Sequence, residues 1–312
     1  MLARIAHELF WLGRNLSRAE HTARMLDGIF QADIQARSEE AGMTLGWGSL
    51  LAIMGAETEE GVPPHRDQVL RSLTLDADNP ASVISCIGRG REGARTVRDV
   101  ISQEMWESIN TTNLGMQEGD LSERLLVGPY SVYQYVKERS ALFWGLTRRT
   151  MLRDEAYSFL QAGGRLESAD MMLRMLRVAL AASAGGRDDG HALSLLQAVG
   201  GFQAYRRAVP GPPNAAPVVR FLLFERAYPD SVAASVDLLE QSLSRADDNP
   251  RNAEPVLRLL RLTADLEFRR RAEEDTQSGN RLAEICGQVQ TELGKVDRDV
   301  HDRYFAGAPA AA

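Results

Sequence analysis

Leu16-Ser17-Arg18-Ala19-Glu20-His21-Thr22-Ala23-Arg24-Met25-Leu26 returns, in altered form, as Leu166-Glu167-Ser168-Ala169-Asp170-Met171-Met172-Leu173-Arg174-Met175-Leu176. Leu, Ala, an acid, Arg, Met and Leu recur in one order at an offset of 150 residues. Ser49-Leu50-Leu51 with Gly55 matches Ser194-Leu195-Leu196 with Gly200 at an offset of 145. Leu73, Pro80, Ser82 and Val83 match Leu222, Pro229, Ser231 and Val232 at 149. Colinear matches whose offsets change so little predict a duplicated unit with length changes confined to loops. The first copy is expected over about residues 2–150 and the second over about 151–305. The Ala-rich end at 306–312 reads as a disordered tail.

Working outward, the pattern is helical almost throughout. Leu9, Leu12, Leu16, Ala19, Ala23 and Leu26 step by three and four, which draws one apolar stripe along a helix. Phe159, Leu166, Ala169, Leu173 and Leu176 repeat the stripe in the second copy. Runs alternating with a period of two, the mark of strands, do not occur. Helices are expected at 2–35, 39–56, 65–75, 80–111, 129–150, 153–183, 191–206, 217–226, 230–246, 251–272 and 278–305. Loops fall at 57–64, 112–119, 184–190 and 207–216. Asn79-Pro80 and Asn249-Pro250 each suggest an N-cap followed by a proline at the first helical position. The expected fold is all-α: a helical bundle of two duplicated halves about a pseudo-twofold axis, forming one composite body over 1–305.

A chain of 312 residues that is 44% hydrophobic can bury a substantial core. Its net charge of −7 disfavours duplex nucleic acid as a partner. Lys137 and Lys295 are the only lysines among 36 basic residues. That Arg excess fits the codon usage of a GC-rich genome, or bidentate recognition of carboxylates and phosphates. Cys86 and Cys286 stand far apart in helical stretches, as buried free thiols of a reducing compartment do. No secretory pattern opens the chain, and no apolar run approaches the roughly 18 residues that span a bilayer. A cytoplasmic protein without membrane attachment is expected; self-association stays open.

Familiar chemistry is scarce. Gly88-Arg89-Gly90-Arg91-Glu92-Gly93 fits the dinucleotide-binding pattern, but no strand precedes it, so small residues at a helix crossing explain it better. His7, His21, His65, His191 and His301 lack metal-ligand spacing. Serine-hydrolase and Walker A sequences do not occur. No metal or cofactor is expected. Trp11, Trp47, Trp106 and Trp144 all fall in the first copy, which hints at diverged halves. The duplicated motif is the best candidate site. Glu20 with Arg24, and Asp170 with Arg174, place an acid and an arginine at i,i+4 beside the apolar stripe in both copies. Such pairs either sit on a solvated flank or line a polar cleft.

These residues carry a family resemblance. Arg4-Ile5-Ala6, Phe10-Trp11-Leu12-Gly13-Arg14, Arg18-Ala19-Glu20 and Thr22-Ala23-Arg24 resemble the Alpha-E domain family of bacterial helical proteins. So do Asn79-Pro80, Arg91-Glu92, Ser102-Gln103-Glu104-Met105-Trp106, Lys137-Glu138-Arg139 and Met151-Leu152-Arg153-Asp154-Glu155. The resemblance places the family's repeated Glu-Arg pair at Ser17-Arg18 and at Glu167-Ser168, so each copy has lost a different half. Arg18 and Glu167 are expected to complement each other across the copies. The family is associated with circularly permuted ATP-grasp ligases and transglutaminase-like proteins. The resemblance therefore implies an accessory protein of a peptide or amide ligase system. It would bind the ligase or its carboxylate-rich substrate, through Arg14, Arg18, Arg24 and Arg174 as bidentate partners. The alternative is an enzyme of peptide or amide-bond modification with Glu20, Glu167 or Asp170 as general base and arginines steadying negative charge.

Overall fold

The two striped segments become the two longest helices, packed lengthwise against each other. The computed structural model describes residues 1–38, 46–55, 64–117, 119–183, 188–272 and 278–306. The first half comprises α1 (Ala3–Ser38), α2 (Trp47–Met54), α3 (Arg66–Thr74), α4 (Val83–Thr96), α5 (Gln103–Gly115), α6 (Leu121–Val127) and α7 (Tyr130–Thr150). The second comprises α8 (Glu155–Ser183), α9 (Asp188–Ala198), α10 (Phe202–Ala208), α11 (Ala215–Phe224), α12 (Val232–Ala246), α13 (Glu254–Ala272) and α14 (Gly279–Tyr304). Among the described residues there are fourteen α-helices and no strand, so the protein is all-α. None of the described helices is long and apolar enough to cross a membrane.

Contacts in the two halves fall into corresponding sets. α4 and α7 pack on α1, and α12 and α14 pack on α8. α5 bridges α4 and α7, as α13 bridges α12 and α14. Ser82 accepts the Ser85 amide at the start of α4, and Ser231 accepts the Ala234 amide at the start of α12. The α1–α8 seam is closed by glycine. A Cβ on Gly13 would run into the Leu160 carbonyl oxygen, and one on Gly163 into that of Phe10. The offset of 150 turns either contact into the other, since it relates Gly13 to Gly163 and Phe10 to Leu160. The apolar stripes of α1 and α8 join one continuous core that reaches from Ala6 to Phe305.

Several boundaries differ from the sequence expectation. The expected helix 80–111 is two helices, α4 and α5. The Val97 amide closes α4 onto the Gly93 carbonyl, and the Ser102 hydroxyl caps α5 by accepting the Met105 amide at 3.2 Å. Buried Val97 and Ile101 pin the turn between them. Asn79 does not cap α4; its side chain accepts the Ala81 amide in a local turn, and Ser82 caps instead. Asn249-Pro250 opens a single 3₁₀ turn, Pro250–Asn252, with no side-chain cap. The expected helix 191–206 divides into α9 and α10 where Gly200 turns to a φ of 68°. Helix α6 forms in a stretch where none was expected. The expected helical start at 39–45, loop positions 57–63 and 184–187, and the tail at 307–312 lie outside the described residues.

Candidate functional site

The duplicated motif converges on one carboxylate. Arg14 and Arg18 lie one turn apart on α1, and Glu167 faces them from α8, only 1% exposed. Arg18 donates from Nε to Glu167 Oε1 at 2.6 Å and from Nη2 to Oε2 at 2.9 Å. Arg14 donates from Nε to Glu167 Oε2 at 3.0 Å. Its Nη1 bonds both carboxylate oxygens of Asp297 on α14, at 2.9 and 3.0 Å. The Arg14 guanidinium also lies over the Trp11 ring, 4.7 Å from its centroid. Burial pushes the Glu167 carboxyl up, but the charges and hydrogen bonds of Arg14 and Arg18 outweigh it and hold the group at about 2. The cluster ties α1, α8 and α14 together. Arg18 and Glu167, the two residues expected to complement each other, are direct partners.

The remaining candidates stand apart from this cluster. Arg24 pairs with Glu20 at 2.7 Å and Arg174 with Asp170 at 2.8 Å, each one turn along its own helix. Asp170 also accepts from Gln290 of α14 at 3.1 Å. Arg24 reaches across to Gly200 and Arg174 to Gly55, the two left-handed turns matched at the offset of 145. All four arginines proposed as bidentate ligands of a substrate are thus already bonded to acids of this chain.

Two cavities adjoin the cluster. The larger, about 670 Å³, is a groove between α1 and α4 lined by His7, Glu8, Trp11, Arg18, Arg89 and Glu92 among others. Gly90 and Gly93 of the Gly-x-Gly-x-x-Gly segment serve the α1–α4 crossing beside it, while Gly88 faces Asn113 of α5. A Cβ on Gly90 would meet Leu12 at 3.6 Å, and one on Gly93 would meet Glu8 at 3.4 Å. The smaller, about 300 Å³, lies between α1, α7 and α8 and is lined by Ser17, His21, Trp144, Arg148, Gly164 and Ser168 among others. There His21 Nε2 and Ser168 Oγ stand 3.1 Å apart, both side chains buried. Trp144 and Ser168 stood out in the sequence, but His21 and Arg148 did not, because the residues that match them, Met171 and Asp297, are of another type. A position-by-position comparison of the copies carries their signal. Among the described residues, no group of three His, Cys, Asp or Glu side chains is placed to hold a metal ion.

A family profile described as a predicted alpha-helical domain with a conserved ER motif, named Alpha-E, matches residues 1–305. The chain belongs to the Alpha-E family. This Alpha-E chain is 23% identical over 327 residues to an uncharacterized protein of Mycobacterium bovis and to one of Mycobacterium tuberculosis. The alignment takes in 96% of the chain but 36% of each relative, so the chain spans about a third of their length. No solved structure matches it. In this Alpha-E chain an arginine from one helix and a glutamate from the other meet at the bonded centre of the α1–α8 seam.

Proposed function

We propose that this protein is a non-catalytic binding module that serves a peptide or amide ligase of the ATP-grasp type. One observation carries the non-catalytic part: each acid of the duplicated motif is held by arginine of the same chain. A general base works best with a pKa near the operating pH. Glu167, held at about 2 and bonded to two arginines, is a poor proton acceptor at neutral pH. The motif reads as a staple between helices, and the cavities beside it are left for recognition. The ligase partnership, and a transglutaminase-like protein as a further partner, rest on the family resemblance. The relatives, in which this region is about a third of a longer chain, suit a unit that works beside other domains.

The test is affinity purification of the tagged protein from its native host, followed by mass spectrometry of bound proteins and small molecules. Recovery of an ATP-grasp-type ligase in comparable amount supports the accessory role. Recovery of the protein alone counts against it. So does a purified protein that modifies peptides without a ligase and loses that activity in Glu20→Gln or Asp170→Asn.

A further inference from the structure

The bonded cluster fills one side of the α1–α8 seam, and the position that corresponds to it on the other side is hollow. The offset of 150 relates Arg14 to Gly164, Arg18 to Ser168, and Ser17 to Glu167. At 149 the buried faces of α7 and α14 coincide: Tyr133 with Leu282, Val136 with Ile285, Ser140 with Val289 and Thr147 with Val296. That register sets Arg148 against Asp297. So Glu167, Arg14, Arg18 and Asp297 on the filled side become Ser17, Gly164, Ser168 and Arg148 on the other. Those four residues line the same cavity of about 300 Å³. Two arginines and a glutamate have been exchanged for serine and glycine, and the space has not collapsed.

The cavity also holds unmet bonding capacity. Ser17 lines the cavity, and its hydroxyl, which is open to that space, bonds to no described residue. Charge is unmet as well. Among the lining residues Glu20 is neutralised by Arg24, and Asp230 lies 3.8 Å from Arg165. The guanidinium of Arg148, exposed at the mouth, has no ion-pair or hydrogen-bond partner among the described residues. Trp144 supplies a flat wall. A Cβ on residue 164 would stand 2.8 Å from its ring, so glycine is what lets the indole lie there.

We infer that this hollow counterpart binds the carboxylate of a small ligand with an adjoining apolar group. Arg148 forms the ion pair, which arginine can make with two parallel hydrogen bonds. Ser17 and Ser168 donate their hydroxyl hydrogens, and His21 Nε2, 3.1 Å from Ser168 Oγ, orients that hydroxyl when that nitrogen carries the proton. The apolar group lies on Trp144. The ligand's carboxylate takes the part that Glu167 plays on the filled side. The inference rests on the binding-module reading and names its ligand, because amide synthesis consumes a carboxylate.

Isothermal titration of the purified full chain tests it, with N-acetyl-L-phenylalanine and its amide as probes. The acid should bind at least about tenfold more tightly than the amide. Arg148→Gln should weaken the acid about tenfold with an unchanged melting temperature, since the Arg148 side chain is exposed and its guanidinium bonds to no described residue. Ser17→Glu with Ser168→Arg, folded by circular dichroism, should fill the cavity with the motif's own side chains and abolish binding. Three results would each overturn the inference: no heat from the acid up to about 10 mM, equal binding of acid and amide, or tighter binding of inorganic phosphate. Because no ligase is present, the outcome is separable from the partnership. A ligase recovered with a chain that ignores the acid sinks only the site, and an acid-binding chain recovered alone sinks only the partnership.

Discussion

Replacing Glu167 by glutamine keeps the shape of the side chain and removes its charge, so it isolates what the buried ionic cluster contributes. Two lines of reasoning give its size. Removing one member of a buried ion pair typically costs about 3–5 kcal/mol, because a charge is left unpaired. Here Arg14 keeps Asp297 and the Arg18 side chain is 22% exposed, so the lower end, about 3 kcal/mol, applies. Linkage gives a second value. A carboxyl held at about 2 in the folded protein, against 4.5 unperturbed, is worth about 3 kcal/mol. The folded pKa lies below the unfolded one, so this stability is fully present above about pH 5 and is lost as the pH falls toward 2. Urea melts of wild type and Glu167→Gln should differ by about 3 kcal/mol at pH 7, with the gap closing through the acid range. A gap below about 1 kcal/mol at pH 7, or one unchanged down to about pH 3, refutes the reasoning.

Three further outcomes follow from the packing. Gly13→Ala and Gly163→Ala each drive a methyl group into a backbone carbonyl of the opposite helix, so each should cost about 1–3 kcal/mol or more in urea melts. Arg24→Ala and Arg174→Ala break i,i+4 pairs whose arginine side chains are 31% and 39% exposed, so each should cost under about 1 kcal/mol. A loss of 3 kcal/mol or above at either would mark these pairs as load shared with the seam. Burial pushes the thiols of Cys86 to about 11 and Cys286 to about 12. Ellman's reagent at pH 8 should therefore leave both untouched in the native protein and titrate both in guanidinium; rapid native labelling would show that either thiol is accessible.

The long helices were legible because their stripes are long. α1 and α8 are buried on most sides, yet Leu9, Leu12, Leu16, Ala19 and Leu166, Ala169, Leu173, Leu176 keep a helical spacing over several turns that is hard to mistake. Short-range punctuation was harder. Asn79-Pro80 carries the chemistry of a cap, but an asparagine side chain serves a local turn equally well, and Ser82 lay close enough to take the cap. Val97 to Ser102 contains no glycine or proline, so its break rests on tertiary anchoring by Val97 and Ile101. The pairing of Arg18 with Glu167 was readable because an arginine in one segment faces a glutamate at the neighbouring register position of the other. Asp297 was not, since it lies 283 residues from Arg14 and outside any motif. The smaller cavity was not legible for a different reason: Ser17, Trp144, Arg148, Gly164 and Ser168 form no motif along the sequence and meet only when α1, α7 and α8 pack.

The seam joins residues about 150 positions apart, and that distance has a consequence for synthesis. Translation at about 5–20 residues per second leaves the apolar stripe of α1 without α8 for about 8–30 seconds. Arg14 waits longer still, because Asp297 lies 283 residues further along. During that interval the face of α1 meant for α8 is open to the α8 of another nascent chain. Exchange of whole halves between two molecules would satisfy the same glycine contacts and the same ionic cluster. A domain-swapped dimer, formed at high expression and slow to resolve, is the characteristic misassembly of such a fold.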